Sequence, residues 1–295
     1  MPKKFPSKES KSKLRKHLEL LLLILILSVL FLFLIIFLNY KDFIYPELHR
    51  NQSSPKDYIE KTAKNLPVKP EVIEHGPRDK KRVALTFDAD MTPAMALLLK
   101  KSVVKSWYNK PIKDTLDRES VKATVFLGGL WSTIYPKEAW DLAHDPLLEI
   151  GNHSYNHYAF AKNCYKLGEI KNEADKDDVE AAQKAIFEAT GKIAKYFRFP
   201  GGCYEDIDVK TIAKLGLKII HWDVVAGDGF NKDVSSIVKK VESNVQNGSI
   251  IVFHIHDGPY APKTNDALVK IIPGLKKRGF EFVKVSELIG LPSEQ

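Results

Sequence analysis

Two short clusters hold most of the chemistry available to this chain. Asp88-Ala89-Asp90 follows the apolar run Val83–Phe87, and His153-Ser154-Tyr155-Asn156-His157 follows Leu147–Gly151. A carboxylate with two imidazoles can hold a divalent metal and leave one position open for water, which is the equipment of metal-assisted hydrolysis. Neutral imidazole suits zinc-like ions. The two histidines lie four residues apart and converge if their segment turns helically. Either aspartate could bind metal while the other moves a proton, or one could simply cap a helix starting at Pro93. Further on, Arg198-Phe199-Pro200-Gly201-Gly202 offers a guanidinium that can grip a carboxylate, and glycines that let a substrate approach backbone N–H groups. His221-Trp222-Asp223 ends another apolar run, and Ile251-Val252-Phe253-His254 ends a later one. His254 fits either a catalytic or a core role, with His256 and Asp257 as rivals for the former.

These residues need a scaffold that delivers them to one place. From Arg82 onward, short apolar runs alternate with amphipathic stretches of helix length. Strand-like runs occur at Val83–Phe87, Ala123–Leu127, Leu148–Ile150, Lys218–Trp222, Ser249–Phe253 and Phe280–Val283. Helical stretches occur at Pro93–Tyr108, Pro136–Ala143, Asp177–Thr190, Ile207–Lys214, Val234–Gln246 and Thr264–Arg278. Glycine follows several of them closely, at Gly191, Gly216, Gly248 and Gly279, as expected of helix stops. Such alternation over about 210 residues implies a parallel sheet covered by helices. The acid and base residues fall at strand ends, where α/β barrels place their sites. An open doubly wound sheet is the other possibility, although no glycine-rich phosphate loop follows the first strand.

The first quarter is different. Residues 2–17 hold seven Lys/Arg against one Glu, and Leu20–Leu38 is apolar apart from Ser28. Nineteen such residues span about 28 Å as a helix, close to a bilayer's hydrocarbon core. No small-residue cleavage site follows, so a membrane anchor over residues 18–38 is expected rather than a removable signal. The basic segment 1–17 places the N-terminus in the cytoplasm and the body outside, as a single-pass protein of the cell membrane. It also accounts for +6 of the net charge of +8, which argues against nucleic-acid binding. Residues 39–79, broken by five prolines, suggest a polar stalk with one short helix near 57–65, leaving 80–295 as the catalytic domain. Cys164 and Cys203 could pair or stay free.

Together the segments from Arg82 to Leu288 resemble the polysaccharide deacetylases, the NodB-homology or carbohydrate esterase family 4 proteins. Thr86-Phe87-Asp88-Ala89-Asp90 is similar to that family's Thr-Phe-Asp-Asp, and His153–His157 to its His-Ser/Thr-x-x-His. Arg198–Gly202 is similar to Arg-x-Pro-Tyr-Gly, Trp222-Asp223 to the fourth motif, and Val252-Phe253-His254 to Leu-x-His. The resemblance implies a distorted (β/α) barrel, one divalent metal ion, zinc by preference, and hydrolysis of N-acetyl groups on a carbohydrate polymer. It implies metal binding by His153, His157 and, since Ala89 stands at the usual ligand position, Asp90. Asp88 becomes the base, Arg198 its support and His254 the acid, with Asp223 tuning His254. The Gly201 N–H, at the position of the family's Tyr, helps hold the oxyanion, and Trp222 packs under the acetyl methyl. A glycan-binding protein that has lost catalysis and an O-acetyl esterase are the alternatives.

Overall fold

The computed structural model describes residues 20–29, 31, 68–170 and 175–291, in two compact units divided after residue 52. In the first unit residues 20–29 are helical, with exposed leucine and isoleucine side chains. The basic tail, the rest of the expected 18–38 anchor, and the helix expected at 57–65 lie outside the described residues. Among the described residues no helix is long and apolar enough to cross a membrane.

The second unit is built on parallel strands: β1 (Val72–Ile73), β2 (Arg82–Ala89), β3 (Ala123–Leu127), β4 (Leu148–Asn152), β5 (Tyr196–Phe197), β6 (Lys218–Ile220), β7 (Val224–Val225), β8 (Ile250–His254) and β9 (Glu281–Phe282). Their order is β1-β6-β5-β4-β3-β2-β8-β7, with β9 pairing the start of β2. The helices are α1 (Pro93–Lys100), α2 (Lys110–Arg118), α3 (Gly129–Ile134), α4 (Pro136–His144), α5 (Asp175–Thr190), α6 (Asp206–Lys214), α7 (Val234–Asn244), α8 (Thr264–Lys277) and α9 (Val285–Leu288). β1 falls inside the segment expected to be stalk, so the sheet begins before residue 80. Two residues are too few to show a strand period, which is why it escapes a pattern search.

The connection between β6 and β7 fixes the shape. In a flat sheet those strands, six places apart, would be about 29 Å from each other at ~4.8 Å per step. Only His221–Asp223 join them, and a chain of that length reaches about 14 Å. The sheet therefore curls strongly. Asp223 stitches the seam: its N–H donates to the Ile250 carbonyl, and its carboxylate accepts from the Ile250 N–H (2.9 Å), Ser249 Oγ (2.9 Å) and Arg78 (2.8 Å). Among the described residues no ladder joins β1 to β7, so the expected barrel is a curled half-barrel.

Along β2 the two faces have separate duties. Val83, Leu85, Phe87 and Ala89 pack into the apolar layer shared with α2, α3, α4, α7 and α8, each large side chain contributing about 1.5–3 kcal/mol by burial. Ala84, Thr86 and Asp88 point the other way, into the curl, where Ala84 joins Phe126, Tyr196, Ile220, Ile250 and residues of α9. Side chains two apart share a face, so the strand itself puts Asp88 inside and Ala89 outside.

The stretch expected as one helix from Pro93 to Tyr108 is α1 followed by a turn. The chain leaves α1 through Ser102 at φ 56°. Trp107 then folds in: its indole N–H donates to the Met95 carbonyl at 2.9 Å and its backbone N–H to Tyr135 Oη at 2.8 Å.

Candidate active site

The ends of β2, β4, β5, β6 and β8 bring the functional side chains together. Arg198, just beyond β5, is fully buried across the hollow of the curl. It donates to Asp88 Oδ1 and Thr86 Oγ1, both at 2.8 Å, and to the carbonyls of Ile220 and His221. Its plane also lies 4.0 Å from the Phe126 ring centroid. The other contacts fix the guanidinium, which then holds Asp88 through Oδ1 and leaves Oδ2 facing His153 Nε2 at 3.6 Å.

His153 and His157 do converge, with ring centroids 5.0 Å apart, but not through a helical turn. Ser154 and His157 adopt φ of 65° and 56°, and two such left-handed residues fold the segment back on itself. That costly conformation is clamped from outside. The N–H groups of Gly129 and Leu130, at the start of α3, donate to the Ser154 and Tyr155 carbonyls. The Tyr155 N–H donates to Asp178 Oδ2 at 2.7 Å, and Asn152 is tied to Gln183 and Val179 of α5.

Asp90, His153 and His157 offer ligand atoms that all lie within 4.8 Å of one another, all three residues being buried. His153 Nδ1 donates to the Arg198 carbonyl at 2.9 Å, which fixes the tautomer and leaves Nε2 as a bare lone pair. That Nε2 is buried with no hydrogen-bond partner among the described residues, and His157 turns its own Nε2 towards Asp90 Oδ2 at 3.7 Å. Buried imidazole nitrogens seldom go unsatisfied. With a carboxylate at hand, they fit a divalent metal ion. Burial pushes His157 down to about 4, so it is neutral and ready to ligate near neutral pH. Burial pushes the Asp90 carboxyl up, but the rings of His256, His157 and His254 outweigh this and hold it well below the usual carboxylate range.

On the far side of β2, His254 lies beside Asp88 in the ladder. Its Nδ1 is 3.0 Å from Asp228 Oδ1, while Asp228 Oδ2 accepts from the His254 N–H and from Thr264 Oγ1. Burial pulls the imidazole down, but the Asp228 carboxylate prevails and raises it to about 10. His254 is therefore a cationic acid at neutral pH. The expectation that Asp223 tunes His254 is corrected here: Asp223 is committed to the seam, and the partner is Asp228. Asp228 was missed because it stands alone between Gly227 and Gly229, though a polar residue just beyond β7 is itself a signal. His256, a rival for the acid role, instead contacts Asp90, and the other rival, Asp257, is exposed.

Gly201 has φ 63° within the 3-10 turn Pro200–Gly202. Within that turn the N–H groups of Gly202 and Cys203 donate to the Phe199 and Pro200 carbonyls. A Cβ at 201 would lie 2.6 Å from Cys164 Sγ and 3.2 Å from Leu167. Cys164 and Cys203 form a disulfide, which occupies the space a larger residue would need. Trp222 packs at a tilt against His221, 5.4 Å from the Arg198 guanidinium, and would meet any side chain at Gly202.

The family model for polysaccharide deacetylase matches residues 75–220. Over 219 residues the chain is 32% identical to a peptidoglycan-N-acetylglucosamine deacetylase of Bacillus cereus, covering 72% of this chain and 90% of that relative. This chain belongs to the polysaccharide deacetylase family. Among solved structures, a peptidoglycan N-acetylglucosamine deacetylase superposes with a TM-score of 0.64 at 26% identity, covering 82% of this chain and 99% of the other. A CE4 family pseudoenzyme from Bacillus anthracis superposes with a TM-score of 0.62 at 25% identity, covering 75% of this chain and 70% of the other.

Proposed function

We propose that this polysaccharide deacetylase removes N-acetyl groups from amino sugars of cell-wall peptidoglycan or a related N-acetylglucosamine polymer. One observation carries the reading: the buried Asp90–His153–His157 cluster adjoins the carboxylate of Asp88, which in turn pairs across the strand ladder with His254, itself held by Asp228. His153, His157 and Asp90 would hold a divalent ion, for which two imidazoles and one carboxylate favour zinc. Such an ion, when bound, polarises the acetyl carbonyl and makes a water nucleophilic near neutral pH. Asp88 accepts the proton of the attacking water, held in place by Arg198. His254 returns a proton to the departing amine, because an amide nitrogen is too basic to leave as an anion. The N–H of Gly201 would serve the oxyanion, and Trp222 would wall the acetyl site. The apolar run Leu20–Leu38, preceded by the basic segment, supports a membrane-anchored enzyme acting outside the cell.

Ala89 favours one competing reading, a glycan-binding protein without turnover. The full-length protein, stripped and reloaded with zinc, should release acetate and leave free amines on N-acetylglucosamine oligomers. Metal bound, glycan bound and no acetate would support the competing reading. Acetate released only from O-acetylated glycan would make the protein an esterase.

A further inference from the structure

The metal-binding reading leaves one problem unsolved: a carboxylate displaced by one residue needs its own support. His256 lies just beyond β8, 1% exposed, and no role in the proposed reaction uses it. Its Nδ1 is 2.9 Å from the Trp107 carbonyl, and its Nε2 is 2.5 Å from Asp90 Oδ1. Both ring nitrogens thus face oxygen acceptors, and the ring bridges the main chain at 107 to the side chain at 90. The far end of the bridge is rigid, because Trp107 is anchored through its indole to Met95 and through its N–H to Tyr135. The Asn109 N–H also donates to the Ile255 carbonyl, locking this turn to the residue before His256. Only one oxygen of Asp90 is engaged by His256. The other, Oδ2, faces His157 Nε2 at 3.7 Å.

We propose that His256 is the positioning residue that makes Asp90 a metal ligand, holding Oδ1 so that Oδ2 is presented to the ion beside His157. The proposal rests on the metal-binding reading above. The segment 101–109 is then the outer brace of the metal site, through the Trp107 carbonyl. Groups that orient a ligand in this way typically set metal affinity by ten- to a hundredfold.

Cobalt(II) or zinc titration of the metal-free full chain, against a competing chelator, tests this without reference to turnover. His256→Ala should weaken binding about ten- to a hundredfold. His256→Gln, whose amide N–H can still reach Asp90, should lose markedly less. Asp90→Asn should weaken binding at least as much, and His256→Ala should add nothing in that background, since the ring acts only through Asp90. Thermal melts of each metal-free variant report folding separately. Unchanged affinity in a folded His256→Ala, or a loss that adds fully to that of Asp90→Asn, would overturn the proposal, the latter making His256 a ligand itself. A folded wild-type chain that binds glycan but no divalent ion would sink the metal reading and this proposal with it. That result is distinguishable because it appears before any variant is made.

Discussion

Asp228→Asn is the sharpest test of how the acid is prepared. Asp228 is 1% exposed and raises His254 to about 10 against the pull of burial. Asparagine keeps the volume and can still accept from His254 Nδ1, but it removes the charge and sets an NH2 against the His254 N–H, a pH-independent loss that adds to the charge effect. His254 should then fall to its ordinary value of about 6.5 or below. Near pH 8 the protonated fraction would drop from about 0.99 to about 0.03, a loss of roughly thirtyfold. The His254 side chain is 34% exposed, and water screens part of the interaction, so about ten- to thirtyfold is expected. Towards acid the imidazole regains its proton, so the deficit should shrink steadily as pH falls below about 6.5. The assay is kcat/KM on N-acetylglucosamine oligomers from about pH 6 to 9, with metal content measured alongside. A loss that is the same at every pH would refute the argument, because it would mean Asp228 shapes the site rather than charging the acid. Stability supplies a second readout on metal-free protein. A histidine raised on folding stabilises fully below its unfolded value of about 6.5, and that contribution disappears as pH rises through about 10. The melting-temperature gap between wild type and Asp228→Asn should therefore narrow in alkali.

Arg198→Met should leave Asp88 buried without its counter-ion and strip donors from Thr86, Ile220 and His221, costing about 3–5 kcal/mol. At about 2–4 °C per kcal/mol that is a melting drop of roughly 6–20 °C by scanning fluorimetry; an unchanged melt would show that Asp88 does not depend on the guanidinium. Gly201→Tyr, which restores the family's residue, should destabilise by more than the ~1–2 kcal/mol of a left-handed side chain, because Cys164 Sγ occupies its place. In a Cys164→Ala/Cys203→Ala background the same change should cost measurably less in guanidinium denaturation. Removing the disulfide alone, across a sequence separation of 39, should lower stability by about 4 kcal/mol, and a loss below about 1 kcal/mol would mean the loop is held by other contacts.

Much of the scaffold was legible because its punctuation is local. Gly191, Gly216 and Gly279 follow helices with φ of 68°, 76° and 83°, which is the freedom that marks glycine as a helix stop. The half-barrel's helices and longer strands follow from that punctuation and from apolar periodicity. What stayed hidden was set by contacts distant in sequence. β1 exists because β6 pairs with it, and α1 ends at Lys100 where no glycine or proline marks the stop. The histidine turn is left-handed because α3 and α5 clamp it, and nothing in Ser154 or His157 as residue types announces that. Asp223 and Asp228 differ in a way no local pattern records: one lies where the curl meets itself, the other where α8 brings Thr264 beneath His254.

Ala89 is the one anomaly whose explanation was within reach of the sequence. Val83, Leu85, Phe87 and Ala89 are an unbroken apolar set at period two, and Ala84, Thr86, Asp88 and Asp90 grow polar towards the strand's end. A strand that keeps this alternation through residue 89 cannot present residue 89 to the metal site. A carboxylate there would be driven into the apolar layer that Ala89 shares with Leu127 and Trp131, at a cost of several kcal/mol for an unpaired charge. Alanine at 89 and aspartate at 90 thus both suit one backbone, in which β2 keeps its alternation through Ala89. That gives the displacement a condition. If β2 keeps this register, Ala89→Asp should neither raise metal affinity nor replace Asp90, and it should lower the melting temperature. Tighter metal binding by Ala89→Asp would mean that the strand end rearranges around the ion, and that Asp90 is not the ligand this backbone assigns.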